Sequence, residues 1–147
     1  MEHKKFMSLA LSEAVKASEK GEVPVGAVIV KNNEVISTAH NLTEENKCPL
    51  CHAEFMAVQK ALEALGTKYL SDCTLYVTLE PCPMCMGALL HCKIGGVVFG
   101  AFDEKTGSVT TRAELTEMEY FRKPKIIGGY MAEESKKLLK EFFEKRR

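Results

Sequence analysis

The chain has 147 residues, with 20 lysines and arginines balanced by 20 aspartates and glutamates, so its formal net charge is zero. This length suits one domain that buries about two thirds of its unfolded surface. Without an overall positive charge, any binding to nucleic acid depends on local patches. No apolar run reaches the roughly 18 residues of a membrane span, and Met1–Lys5 lacks the apolar continuation of a signal peptide. We therefore expect a cytoplasmic protein with reduced thiols.

Helix and strand patterns alternate along the chain. The first half of the chain predicts a helix over 3–20, strands over 23–30 and 34–39 joined by a turn, a polar loop over 41–50 and a helix over 52–66. The second half predicts strands over 75–79, 96–100 and 125–128, helices over 83–91 and 132–147, and a weakly patterned segment over 103–122. The helix over 83–91 is apolar, and we expect it to be buried on all sides. This order predicts a single domain, 1–147, built as a three-layer α/β/α sandwich around a mixed five-stranded sheet.

Two short motifs carry the chemistry. Cys82 and Cys85 stand three residues apart, which places both thiols on one face of a helix. Pro83 suits the first turn of that helix, where thiolates lie near the positive end of the helix dipole. His52 can supply a third ligand, and three protein ligands leave one tetrahedral position open, as in catalytic zinc sites. Glu54 follows closely and can move the proton of an activated water.

A Cys-x-x-Cys pair has simpler interpretations. It can form a structural zinc knuckle, or the two cysteines can be buried and inert. The combination of His52-x-Glu54 with Pro81-Cys82-x-x-Cys85 favours a catalytic site, because it matches the signature of zinc nucleobase deaminases.

The chain resembles the bacterial tRNA-specific adenosine deaminases of the cytidine-deaminase-like superfamily over nearly its whole length. The matching blocks are Glu22-Val23-Pro24-Val25-Gly26-Ala27-Val28, His52-Ala53-Glu54, Thr74-Leu75-Tyr76-Val77-Thr78-Leu79-Glu80-Pro81-Cys82-Pro83-Met84-Cys85, Gly87-Ala88, Val97-Val98-Phe99-Gly100-Ala101, Asp103 and Lys105-Thr106-Gly107. The zinc motif alone indicates only the superfamily, whereas the longer blocks at these intervals are specific to the tRNA enzymes.

The resemblance implies a cytidine-deaminase-like fold and a reaction. One zinc ion per subunit, held by His52, Cys82 and Cys85, would activate the water that attacks C6 of adenine, with Glu54 as proton shuttle. The substrate would be adenosine at the wobble position of a tRNA anticodon loop and the product inosine. An unstacked loop nucleotide can enter such a pocket, whereas a base in a stem cannot. The family is homodimeric, and both subunits contact the RNA.

The same resemblance implies further site residues. Asn41 would hold the target base, and Asp103 would contact the ribose of a neighbouring nucleotide. The pocket would be lined by Val23, Pro24, Val25 and Gly26, and the anticodon loop would contact Phe142, Phe143, Arg146 and Arg147. Taken alone, Asn41 is a turn residue, Asp103 a turn or cap residue, and the two phenylalanines are core or dimer contacts.

Two departures from the family pattern stand out. Cys48-x-x-Cys51-His52 spells a c-type haem attachment motif, but that use requires export and would remove His52 from the zinc set, so we expect no haem. The two thiols could instead compete for metal or close a four-ligand site. The region 108–125 also differs, and the cluster Arg122-Lys123-Pro124-Lys125 is either a solvated surface or a replacement RNA contact.

Other functions remain compatible with this sequence. A free-base or nucleoside deaminase of the guanine or cytosine type would use the same zinc site on small molecules. A catalytically silent, zinc-stabilised RNA-binding subunit is the third possibility, but such a protein has no use for Glu54 as a proton shuttle.

Overall fold

The computed structural model describes residues 2–146. Its helices and strands are α1 (His3–Glu19), β1 (Gly26–Lys31), β2 (Glu34–His40), α2 (Ala53–Leu65), β3 (Cys73–Leu79), α3 (Pro83–His91), β4 (Gly96–Ala101), β5 (Lys125–Ile127) and α4 (Ala132–Glu144), with a 3₁₀ turn at Leu115–Glu117. Along these residues, none of the helices combines the length and apolar character that crossing a bilayer requires.

The strands form one mixed sheet in the order β2-β1-β3-β4-β5. β1 is antiparallel to β2 and β3, whereas β3, β4 and β5 are parallel to one another. The helices α1 and α4 pack on one face, and α2 and α3 cover the other. The predicted three-layer α/β/α sandwich with five strands is therefore confirmed.

Alternation along the strands divides the core between the two faces of the sheet. In β4, Val97 and Phe99 join the cluster beneath α2 and α3, whereas Val98 between them joins the cluster beneath α1. Both faces of the central strands are buried, which explains why β4 reads as a continuous apolar run rather than an alternating one.

Two predictions of local structure were wrong. The first strand begins at Gly26 rather than at Val23, because Val25 donates to the Val23 carbonyl in a tight turn around Pro24, which has no N–H for a ladder. The helix α3 is not buried on all sides. Its sheet side is buried, but Met84, Gly87 and Ala88 on its outer side are half-exposed.

Candidate active site

The metal-ligand candidates lie where two helices begin. His52 occupies the N-cap of α2 and Cys82 the N-cap of α3, and Cys85 follows one turn later. Each N-cap residue accepts the first intrahelical hydrogen bond through its carbonyl, from Met56 N to His52 at 3.1 Å and from Met86 N to Cys82 at 2.9 Å. The cap positions therefore fix the backbone of two of the ligands, and their side chains are directed to the same place.

The three donor atoms are spaced as a zinc ion requires. The sulfurs of Cys82 and Cys85 lie 3.5 and 3.6 Å from Nδ1 of His52, and the three donors all lie within 4.8 Å of one another. Zinc bonds of about 2.3 Å to sulfur and about 2.0–2.1 Å to nitrogen, at a tetrahedral angle, give a nitrogen–sulfur separation of about 3.6 Å. The residues present therefore fit zinc, with one coordination position left for a small molecule.

The three side chains share charge through their mutual hydrogen bonds. The pKa of the Cys82 thiol is lowered to about 4, chiefly by its hydrogen bond with Cys85 and then by His52, against the opposing effect of burial. The pKa of Cys85 is raised, because the thiol gives its hydrogen bond to Cys82 and is buried. The hydrogen bond to Cys82 also raises the pKa of His52. A bound cation would take up this shared negative charge and displace the remaining proton.

Glu54 lies buried in the first turn of α2, beside the three donors. Burial raises the pKa of its carboxyl to about 7, although the positive charge of His52 opposes the rise. A carboxyl that gains and loses its proton near neutral pH suits a proton shuttle. A bound divalent cation would favour the carboxylate and lower this pKa.

A cavity of about 210 Å³ opens over these groups. Its walls are formed by Val23, Val25, Asn41, Thr43, His52, Glu54, Leu79, Glu80, Cys82, Asp103 and Thr106. The fold thus brings together five parts of the chain: the segment before β1, the loop after β2, the start of α2, the start of α3 and the loop after β4. Three larger cavities, of about 470, 600 and 790 Å³, are lined by none of the three ligand candidates.

Two of the residues that the resemblance assigned to the pocket lie outside its wall. Pro24 is buried and does not line the cavity. Gly26 packs against α1, where a Cβ would overlap the backbone of Ala10 and Ala14. The close approach of strand and helix is therefore what requires glycine at this position.

Asn41 connects the two sides of the cavity. Its Nδ2 donates to the Val23 carbonyl at 3.2 Å, and its Oδ1 accepts from Ala53 N at 2.9 Å. Ala53 is the first residue of α2, whose N–H has no partner within the helix. Among the described residues, the side chain of the N-cap His52 makes no capping bond, and Asn41 supplies one from the preceding loop.

The C-terminal residues lie beside Gly21, in the turn that follows α1. Phe142 is half-buried and Phe143 is 52% exposed. The guanidinium of Arg146 stacks over Phe142 at 4.4 Å and donates to the Gly21 carbonyl at 2.7 Å. Arg147 lies outside the residues that the structure describes.

The basic cluster at 122–125 lies far from the ligands. Lys125 pairs with Gly96 at the start of β4, and Gly96 pairs with Thr74 near the start of β3. Cys82 follows the opposite end of β3, and a strand of this length spans roughly 20 Å. This position does not favour a contact between the cluster and a nucleotide in the cavity.

Sequence reasoning missed two buried carboxylates that hold the loops around the cavity. Glu22 accepts hydrogen bonds from Glu44 N at 3.0 Å and Glu45 N at 2.8 Å in the loop after β2. Glu80 accepts hydrogen bonds from the loop after β4. For Glu80 the available signal was a lone glutamate between apolar residues at the end of a strand pattern, because a charge is rarely buried without dedicated partners. Glu22, in the turn between α1 and β1, carried no such signal.

Comparison with known proteins places this geometry in a family. A family described as MafB19-like deaminase matches residues 1–147. A tRNA-specific adenosine deaminase of Bacillus subtilis (strain 168) is 47% identical over 143 residues, covering 97% of this chain and 89% of the relative.

Solved structures agree with this assignment. One from a study of A-to-I editing by tRNA:A34 deaminases at the wobble position of transfer RNA has a TM-score of 0.89 and 39% identity, covering 92% of this chain and 99% of that one. A guanine deaminase from Bacillus subtilis has a TM-score of 0.66 and 38% identity, covering 69% of this chain and 66% of that one. Since the family match extends over every residue and the relatives align along most of the chain, this protein belongs to the MafB19-like deaminases.

Proposed function

We propose that residues 1–147 form a single zinc-dependent domain that deaminates adenosine to inosine at the wobble position of a tRNA anticodon loop. The observation that carries the proposal is the placement of Glu54 beside a three-donor site that fits zinc and leaves one position open. Its substrate class is supported by the similarity to the tRNA-specific adenosine deaminase of Bacillus subtilis and to the tRNA:A34 deaminase structure.

Different residues of the cavity would transfer the protons and bind the base during hydrolysis. When bound, zinc would supply Lewis-acid activation of the attacking water. Glu54 accepts a proton from that water, transfers it to the N1 nitrogen of adenine, and returns the second proton to the departing amino group. Water and adenosine are consumed, and inosine and ammonia are produced. Asn41, already fixed at both ends of its amide, holds the base edge beside Val23 and Val25.

The RNA contacts of the proposal would come from the rim of the cavity and from the C-terminal helix α4. Asp103 lies at the rim on the loop after β4 and would contact the ribose of a neighbouring nucleotide. Phe142, Phe143 and Arg146 present a ring pair and a guanidinium beside Gly21. Rings stack on unpaired bases and guanidinium groups contact phosphate, which is how loop nucleotides are recognised.

We further propose that two copies associate through the outer face of α3, where Met84, Gly87 and Ala88 are half-exposed. Covering an exposed apolar helix face with a second apolar surface is favourable, because it removes both surfaces from water. The proposed location is the cytoplasm, and the six free cysteines are consistent with a reducing compartment.

A second candidate function is deamination of a free purine base. The 38% identity to a guanine deaminase over 69% of this chain favours it as the alternative. The two functions differ in the size of the substrate, because a free-base enzyme acts without RNA.

The decisive experiment offers the zinc-loaded protein an anticodon stem-loop with adenosine at the wobble position, beside free adenosine, adenine and guanine. Mass spectrometry then measures inosine from the RNA and from adenosine, hypoxanthine from adenine and xanthine from guanine. Glu54→Gln should retain zinc and lose about 10²–10⁴-fold in rate. Glu63→Gln, on the exposed side of the same helix, is the matched control and should keep its activity. Deamination of guanine with none of the RNA would replace the proposal with the alternative.

A further inference from the structure

The geometry points to Glu80 as a positioning residue that fixes the loop 103–111, and through it the place of the nucleotide next to the reacting adenosine. This inference rests on the proposed action on an anticodon loop. Both carboxylate oxygens of Glu80 accept hydrogen bonds from this loop. It acts through Asp103 and Thr106, which form one wall of the cavity.

The carboxylate of Glu80 binds the loop at both ends. Oε1 accepts from Asp103 N at 3.1 Å. Oε2 accepts from the backbone N–H groups of Val109, Thr110 and Thr111 at 3.0, 2.8 and 3.1 Å. The hydroxyl of Thr111 also donates to Oε1. Five donors therefore converge on one carboxylate, and four of them belong to the backbone, so the arrangement depends on the path of the loop rather than on its side chains.

Glu80 has no other means of offsetting its burial. Glu80 is only 1% exposed, and none of the ion pairs found along residues 2–146 includes it. A buried carboxylate without a cation is costly unless hydrogen-bond donors surround it. The loop supplies those donors, so the carboxylate and the loop require each other.

Gly107 shows how tightly the loop closes around the carboxylate. A Cβ on Gly107 would overlap the carboxylate of Glu80. The close approach therefore requires glycine, and any side chain at this position would displace either the carboxylate or the loop. This offers a second way to perturb the same contact without changing Glu80 itself.

The position of Asp103 depends on this anchor. Asp103 N donates to Glu80, while its carboxylate accepts from Lys105 N at 2.9 Å and Thr106 N at 3.2 Å. The rim of the cavity is thus a closed turn suspended from Glu80. Cys82, one of the metal-ligand candidates, follows Glu80 by two residues. The short stretch 80–82 therefore holds this ligand and the rim of the cavity at a constant separation.

The test compares Glu80→Gln, Gly107→Ala and the double variant in the zinc-loaded enzyme, with steady-state kinetics on the anticodon stem-loop. Glutamine has the same shape but places an NH2 group against N–H donors, which breaks the cradle. We expect KM for the RNA to rise about 10-fold in each single variant, the effect of losing roughly one charge-assisted hydrogen bond, with kcat changing less than about 3-fold. Because both changes act on one contact, the double variant should show much less than the product of the single effects.

A control and a structural measurement separate positioning from general loss of stability. Leu70→Ala removes a buried side chain that is remote from the cavity and should lower Tm without changing KM. Hydrogen exchange at the amides of residues 109–111 should accelerate in Glu80→Gln and stay at the wild-type rate in Leu70→Ala.

The outcomes distinguish this inference from the proposed function. A wild-type enzyme that leaves the RNA unchanged would refute the proposed function and this inference with it. Two results with an active wild-type enzyme would refute the role of Glu80 alone. In the first, the Glu80→Gln variant keeps the wild-type KM. In the second, its KM rises only as much as the KM of a Leu70→Ala variant of equal Tm.

Discussion

Replacing Asn41 with alanine should destabilise the protein even in the absence of substrate. The change removes the acceptor for Ala53 N and the donor to the Val23 carbonyl. Ala53 is fully buried, so its N–H would lose its partner without gaining water, at a cost of about 1–3 kcal/mol. The Val23 carbonyl lies at a half-exposed residue and can recover a water. We therefore expect a loss of about 2–3 kcal/mol in the free energy of unfolding.

Urea unfolding of the metal-free protein measures this loss directly. With a slope of about 2 kcal/mol per molar urea, the midpoint should fall by about 1 M, and Tm should fall by about 4–10 °C. Asn46→Ala is the matched control, because Asn46 lies in the same loop but is exposed, and it should change stability by less than about 0.5 kcal/mol. If the two variants unfolded at the same midpoint, Asn41 would not cap α2, and its role would be confined to binding the base.

Two further results are expected. Cys85→Ala should leave the chain folded but without zinc when the metal content is measured by mass spectrometry, whereas Cys92→Ala, which changes a thiol outside the donor cluster, should retain one ion per chain. Burial alone would raise the pKa of the Glu13 carboxyl, but hydrogen bonds from Lys16 and His40 outweigh burial and lower it. Stability from this group is present above the unfolded pKa of about 4.5 and is lost as pH falls through the lower folded pKa. Glu13→Gln should flatten that acid limb of the urea midpoint, and an unchanged slope would contradict the assignment.

The sequence was most informative where function depends on local spacing. A Cys-x-x-Cys pair with proline between the cysteines predicts the start of α3, and the structure begins that helix at Pro83 with Cys82 as its cap. The order of strands and helices predicts the layers of the fold, because apolar periodicity is a property of neighbouring residues. Both inferences depend only on residues that lie within about ten positions of one another in the chain.

Other features depend on contacts that no local pattern contains. Glu80 appears in the sequence as one acidic residue before a proline, and its partners lie 23 to 31 positions later. The burial of α3 was predicted wrongly because its apolar residues lie on both sides of the helix, and the sequence does not show that the sheet covers only one of them. The basic cluster at 122–125 could be assigned to the far end of the sheet only once the direction of β5 was known.

Metal loading follows from the way the ligand backbones are held. The carbonyls of His52 and Cys82 already accept hydrogen bonds inside their helices, so an arriving ion has to select only side-chain rotamers. A zinc ion held there would act as a ligand of a folded chain, adding about 4 kcal/mol of stability at a thousandfold excess over its dissociation constant, rather than creating the fold as it does in a zinc finger. Chelation should yield a folded apoprotein that can be recharged. The supply of free zinc in the cell, and not new synthesis, would then set the fraction of active molecules.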